Sequence, residues 1–283
     1  MLKYVPLGRL IDRINKVFDD FKWKVSRERR LFHEQTDYTY LQNNSDNKMN
    51  EGDTKKVKKA LGVLDLLLLA EKEGQIDEIG VCEEFLTMIT AGFETTGMTI
   101  CYLLTLLAEN KEAQNLARTE VREVLGDYTG PLTMEHLKKM DYLGRCVKES
   151  LRILPTVPLF ARLISDEVEL SNYRIPPGSE VVVSVFDVHR DPQFWPEPEK
   201  FDPDRFLSDN LKNQHPFAYI PFSGGMRSCI GQKFALLEVK TVTAQILRDF
   251  YLEPIDASKD FKFLMSITLK VDDLHLKFIK INS

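Results

Sequence analysis

Apolar side chains recur every three or four positions through residues 7–32, LGRLIDRINKVFDDFKWKVSRERRLF. That spacing lines them along one stripe and predicts an amphipathic helix with a charged, solvated face. The pattern stops between 33 and 60, where QNNSDNKMNEGDTKK has little to bury and an exposed, mobile loop is expected. VLDLLLLAEKEG resumes with a short apolar helix ending near Gly74. From Ile79 to Asn110 the pattern reads as one long helix, whose middle, FLTMITAGFETTGMTICYLLTLL, holds a single charge. Such a stretch is long enough to cross a bilayer. Glu94 near its centre, among threonines and glycines, favours a buried core helix instead, because a carboxylate in mid-bilayer is costly.

EAQNLARTEVREVL predicts a surface helix, GDYTGPLTMEHLKKM a turn and a short helix capped by Thr133, and LGRCVKESLRILP a helix stopped by Pro155. Then the period changes. VELSNYRIPPGSEVVVSVFDVHRD reads as a strand, a Pro-Pro-Gly turn and a second strand. DPQFWPEPEKFDPDRFL, rich in proline and aromatics, is expected to be ordered but irregular. GQKFALLEVKTVTAQILRDF is helical, and KFLMSITLKVDDLHLKFIKI alternates like a closing hairpin turning near Asp272 and Asp273. The fold class that follows is mainly α with small β-sheets to one side. Three regions are expected: an amphipathic helix over 1–32, a polar loop over 33–60, and a single core over 61–283.

Apolar residues make up 43% of the 283 positions, enough for a substantial core. The net charge of −5 speaks against nucleic acid as a partner, since phosphate binding needs a basic surface. The opening MLKYVPLGRLIDR lacks the basic segment, apolar core and cleavage site of a secretory signal. Four cysteines, Cys82, Cys101, Cys146 and Cys229, are scattered without a C-x-x-C pair, so neither a disulfide framework nor a zinc site is expected. Three of them sit in helical apolar contexts and read as packing residues.

Cys229 differs. It stands in PFSGGMRSCIGQKFA, between a glycine-rich loop and a helix start. Gly224 and Gly225 allow close backbone approach. A thiolate just before a helix N-terminus meets the positive end of the dipole and free N–H donors, which suits a soft metal ligand. Arg227 is placed to meet an anionic group on a cofactor, and Phe222 to pack near the sulfur. On these residues alone three roles stand open for Cys229: metal ligand, nucleophile and packing residue. The chain's five histidines lie in no recognisable catalytic motif.

The run from Phe222 to Gly231 resembles the cysteine-ligand loop of the cytochrome P450 haem-thiolate monooxygenases, with the Phe, Gly, Arg, Cys and Gly of that pattern all present. Three further motifs follow the family's order. Ala91 to Thr96, AGFETT, is similar to its oxygen-activation motif and places the carboxyl of Glu94 beside the hydroxyl of Thr95, as a proton relay needs. KESLR sets Glu149 and Arg152 three apart on one helical face, and the resemblance implies that the pair is buried and that Arg205 in PDRF completes a network of structural purpose. PTVPLFARLI is similar to the segment along the haem edge, which implies that Arg162 pairs with a propionate. The resemblance spans roughly 75–283 and looks most like the animal microsomal branch with fatty-acid omega-hydroxylases and insect detoxifying enzymes. Ala91 replaces the glutamate that esterifies haem in some of that branch, so no such bond is expected, and Phe93 replaces a frequent histidine.

The resemblance implies a P450 fold, N-terminally truncated, that lacks the membrane anchor and the early helices and leaves apolar surface uncovered. It implies haem bound through Cys229, with Arg227, Phe222, Gly225 and Arg162 contacting the cofactor and Glu94 and Thr95 managing protons. An NADPH-dependent reductase would dock near Lys233 and Lys240, a small apolar substrate and dioxygen would react, and the cytosolic face of the endoplasmic reticulum membrane would be the location. A relative that binds haem without turnover, or one that rearranges peroxides without a reductase, are the alternatives.

Overall fold

The computed structural model describes residues 6–36, 38, 61–212 and 214–281. Most of the predicted polar loop, 37 and 39–60, lies outside the described residues. The chain divides into two compact units, 1–91 and 92–283.

The first unit holds helix α1 (Pro6–Gln35), helix α2 (Val63–Lys72) and the opening turns of α3 (Glu78–Glu109). Asp65 is its polar centre. It accepts from Arg29 Nε at 2.5 Å and Arg29 Nη2 at 3.0 Å, lies 2.8 Å from His33 Nε2, and accepts the Gly62 N–H. Gly74, at φ +73°, ends the α2 segment where the sequence places its stop.

In the second unit, α3 sinks into the core from Thr96 onward, with Tyr102, Leu103, Leu106 and Leu107 buried. Its threonines are accommodated because Thr99 and Thr105 donate back to the carbonyls of Thr95 and Cys101. Helix α4 (Lys111–Leu125) buries Ala113, Ala117, Val121 and Leu125, one per turn on one face. After the short α5 (Met134–Lys139), α6 (Asp141–Ile153) buries Leu143, Cys146, Val147, Ser150 and Leu151, again helical spacing, and ends ahead of Pro155. Thr133 caps α5 by accepting the His136 N–H, as expected.

The strands depart from the sequence reading. Strand β1 (Leu159–Leu163) pairs antiparallel with β4 (Glu180–Ser184), while β2 (Val168–Leu170) and β3 (Tyr173–Ile175) form their own hairpin. The Pro-Pro-Gly turn therefore leads from one sheet to another. Gly178, at φ +85°, donates to Ile164, and Ile164 donates to Ser179, which extends the β1–β4 ladder. Pro176 and Pro177 have no N–H for a ladder, so the hairpin turn falls at Ser171–Asn172 instead. The segment expected to continue as strand after Ser184 becomes the short helix α7 (Val185–Val188).

The remaining elements are α8 (Ser208–Leu211), α9 (Gln232–Asp249) and strands β5 (Phe250–Pro254), β6 (Phe263–Met265), β7 (Leu269–Val271) and β8 (Leu276–Lys280). Strands β7 and β8 do not pair as the expected closing hairpin. β6 pairs with β7 around Ser266–Thr268, and β8 returns to β5. A turn does occur at Asp273, φ +55°, but it separates strands of different sheets. Alternation marks a strand without naming its partner.

Candidate functional site: a cysteine loop and a long helix

The cysteine loop is held by its own backbone. Ser223 N–H donates to Ile220, Ser228 N–H to Gly225, and Cys229 N–H to Phe222 at 2.9 Å. Ser223 at φ +61° and Gly225 at φ +71° make the reversals. Gly225 needs its lack of a Cβ, because side chains rarely adopt that φ. Gly231 then caps α9, and a Cβ there would sit 3.8 Å from Cys229 Sγ. The sulfur thus lies at the start of an 18-residue helix whose first N–H groups have no partner within the helix.

Cys229 is the exposed cysteine of the four, and its thiol is free; Cys82 and Cys146 are buried and Cys101 is half-buried. Phe222 offers its carbonyl to Cys229 and packs against the main core, half-buried. Arg162 on β1 donates from Nη2 to Ser223 Oγ at 3.2 Å, and its guanidinium lies 4.8 Å above the Phe160 ring. The structure therefore joins Arg162, Phe222, Gly225 and Cys229 around one loop, with Arg227 exposed on its short turn.

The loop is anchored from behind. Glu149 and Arg152 are fully buried and bonded through two contacts, at 2.7 and 2.8 Å. Arg205 Nε lies 3.4 Å from Glu149, as the PDRF segment predicts, and Asp202 N–H donates to the same carboxylate. Burial pushes the Glu149 carboxyl up, while Arg152 and the Asp202 N–H pull against it. Trp195 Nε1 donates to the Ala218 carbonyl and Tyr219 Oη to that of Lys148, fixing the strand of chain that enters the loop.

Glu94 and Thr95 stand on α3, next to exposed Gly92 and Phe93. Glu94 Oε1 accepts from the Thr268 hydroxyl and lies 2.9 Å from Lys270 Nζ. The Thr268 hydroxyl first, then Lys270, hold its carboxyl below the ordinary range. These two partners are absent from the sequence reading. The period-2 spacing of T-L-K puts Thr268 and Lys270 on one face of β7 and its approach, but says nothing of a partner on α3. Thr95 gives its carbonyl to Thr99, whose hydroxyl meets that of Thr156 at 2.8 Å. Lys233 is exposed, whereas Lys240 turns inward to within 3.3 Å of the Gly144 Cβ position, and burial lowers its pKa.

These residues fit an iron porphyrin. Among the described residues there is no cluster of three or more His, Cys, Asp or Glu side chains that could hold a metal ion by itself. A macrocycle that brings its own nitrogens asks the protein for one soft ligand, and the exposed, free thiol of Cys229 is of that kind. Met226, Ile230 and Phe234, its neighbours in the chain, are exposed and apolar, and Arg162 and Arg227 are the cations of the same loop and strand.

A sequence profile described as cytochrome P450 matches residues 7–278. The chain is 40% identical to probable cytochrome P450 4p3 of Drosophila melanogaster over 225 residues, which is 79% of this chain and 44% of that one. It is 45% identical to cytochrome P450 4V2 of Rattus norvegicus over 192 residues, 67% of this chain and 37% of the relative. The chain thus spans about half the length or less of the curated relatives it matches. The crystal structure of a mutant haem domain of cytochrome P450DA superposes with a TM-score of 0.69 at 31% identity, over 73% of this chain and 45% of that one. A predominantly helical chain with small sheets, the matching profile and these relatives agree: the chain belongs to the cytochrome P450 family.

Proposed function

We infer that this chain carries the thiolate and proton-handling face of a haem monooxygenase that inserts one atom of dioxygen into an apolar organic substrate. The observation that carries this reading is Cys229, an exposed thiol presented by a positive-φ turn at the start of α9. Haem, when bound, supplies dioxygen activation, and a thiolate ligand pushes electron density toward O–O cleavage. Cys229 Sγ would hold the iron, and the first N–H groups of α9 are the donors available to the sulfur. Arg162 and Arg227 would hold acidic groups of the cofactor, and Phe222 and Gly225 shape the loop that would let it approach. On α3, Thr268 and Lys270 both engage Oε1 of Glu94. That leaves Oε2 as the atom that passes a proton toward Thr95. Electrons come from NADPH through a reductase docking on the cysteine-loop side, with Lys233 as a contact. The cytosolic face of the endoplasmic reticulum membrane is the location this reading implies, and the branch with fatty-acid omega-hydroxylases and insect detoxifying enzymes is the one it is assigned to.

The test is the carbon monoxide difference spectrum of the reduced, haem-supplied chain. A strongly red-shifted Soret band that disappears in Cys229→Ala is expected. A chain that takes up no haem overturns the reading. Comparing NADPH-dependent with peroxide-dependent turnover then separates the monooxygenase from a peroxide rearrangement.

A further inference from the structure

His189 belongs to none of the motifs that point to haem, yet it is fully buried and engaged at both ends. Its carbonyl accepts from Arg152 Nη1 at 2.9 Å. Its ring Nε2 lies 2.8 Å from the backbone nitrogen of Ile220. The ring stacks on Tyr219, centroids 5.2 Å apart and planes 21° from parallel. Ile220 then receives the Ser223 N–H on its carbonyl, and Phe222 receives that of Cys229. One imidazole therefore stands between the buried Glu149–Arg152 pair and the turn that ends on the cysteine.

A backbone N–H can only donate, so Nε2 must carry the lone pair and Nδ1 the proton. Nδ1 is buried without a hydrogen bond of ordinary geometry, and the backbone carbonyls of Leu151 and Arg152 are the groups that act on it. The charged groups facing the ring are the guanidiniums of Arg152 on α6 and Arg190 just after α7. Glu149, the carboxylate bonded to Arg152, is also held by Arg205 and the Asp202 N–H. Burial first, then these cations, lower the imidazole's pKa to about 4.

We propose that His189 is a positioning residue for the cysteine loop: as a neutral acceptor it fixes Ile220, and through Ile220 the turn that presents Cys229. A proton on Nε2 sets N–H against N–H and releases that grip. The latch is a property of the fold; its bearing on haem rests on the reading of Cys229 above.

The test is amide hydrogen exchange across residues 219–229 of the 283-residue chain, corrected for the intrinsic pH dependence, with helix α4 as an internal reference. His189→Phe keeps an aromatic ring against Tyr219 and removes the acceptor; His189→Gln sets an amide oxygen near the place of Nε2. In the wild type, exchange at Ile220 is expected to be slow at neutral pH and to rise as the pH falls toward about 4. His189→Phe is expected to exchange there roughly tenfold faster at neutral pH, the size that losing one buried hydrogen bond implies. His189→Gln is expected to stay slow, without the acid transition. Equal protection in wild type and His189→Phe overturns the proposal. So does an equal loss in α4, which marks general destabilisation, or an acid transition that persists in His189→Gln. With haem supplied, His189→Phe is expected to lose the red-shifted carbon monoxide band at a pH where wild type and His189→Gln keep it, and a band kept equally by all three counts against the proposal. If the wild type takes no haem, the function proposed above falls and hydrogen exchange alone decides the latch.

Discussion

Glu94 carries its charge under restraint. The Thr268 hydroxyl and Lys270 favour the ionised carboxylate, so its folded pKa lies below the ordinary value of 4.5. A carboxyl depressed in this way stabilises the fold above its unfolded pKa, and that contribution disappears as pH falls through the folded value. Thr268→Val is therefore expected to move the Glu94 titration upward, as read by carbonyl-carbon chemical shifts; an unchanged midpoint would discard the restraint. Thr95→Ala, in a haem-loaded reductase assay, is expected to separate electron consumption from product formation. Unchanged coupling would remove Thr95 from the relay. Cys229 could be read from the sequence because its glycines, its arginine and its helix start are all neighbours in the chain. Lys270 and Thr268 could not, because their contact with α3 closes over 174 residues or more and no local pattern encodes a partner so remote.

The elements show the same division. Helices α4 and α6 were readable because a 3.6-residue period reports a buried face without reference to any other segment. Strand pairing was not, since β1 and β4 find each other across an inserted hairpin, and β8 passes over β6 and β7 to reach β5. Within α6 the Glu149–Arg152 spacing was visible, but its burial followed only from the family resemblance, because the same spacing on a surface helix would be a weak ion pair. Here Arg152 also donates to the carbonyls of His189 and Lys200. Arg152→Ala leaves Glu149 buried without its main partner and is expected to cost about 3–5 kcal/mol. Denaturant unfolding measures this, and a loss below about 1 kcal/mol would show a surface-like pair instead.

For the molecule as a whole, one helix among the described residues, Glu78–Glu109, is long and apolar enough to cross a membrane, and half of its most apolar stretch is buried. In the second unit, Met226, Ile230 and Phe234 stand at 104%, 86% and 73% exposure around the cysteine. A ligand that binds only the folded state and covers such a surface raises stability by about 2.7 kcal/mol at a hundred times its Kd. Haem is accordingly expected to raise the melting temperature and suppress binding of an apolar dye, and Cys229→Ala to blunt both effects. A dye signal indifferent to haem would place the apolar surface elsewhere.

The accessibility of a single thiol has a practical side. With Cys82 and Cys146 enclosed and Cys101 raised in pKa by its burial, a maleimide fluorophore has one ready address on this chain, and labelling should stop near one dye per molecule. Left in air, the same address makes the first covalent product a dimer joined sulfur to sulfur, visible on a non-reducing gel and erased by dithiothreitol.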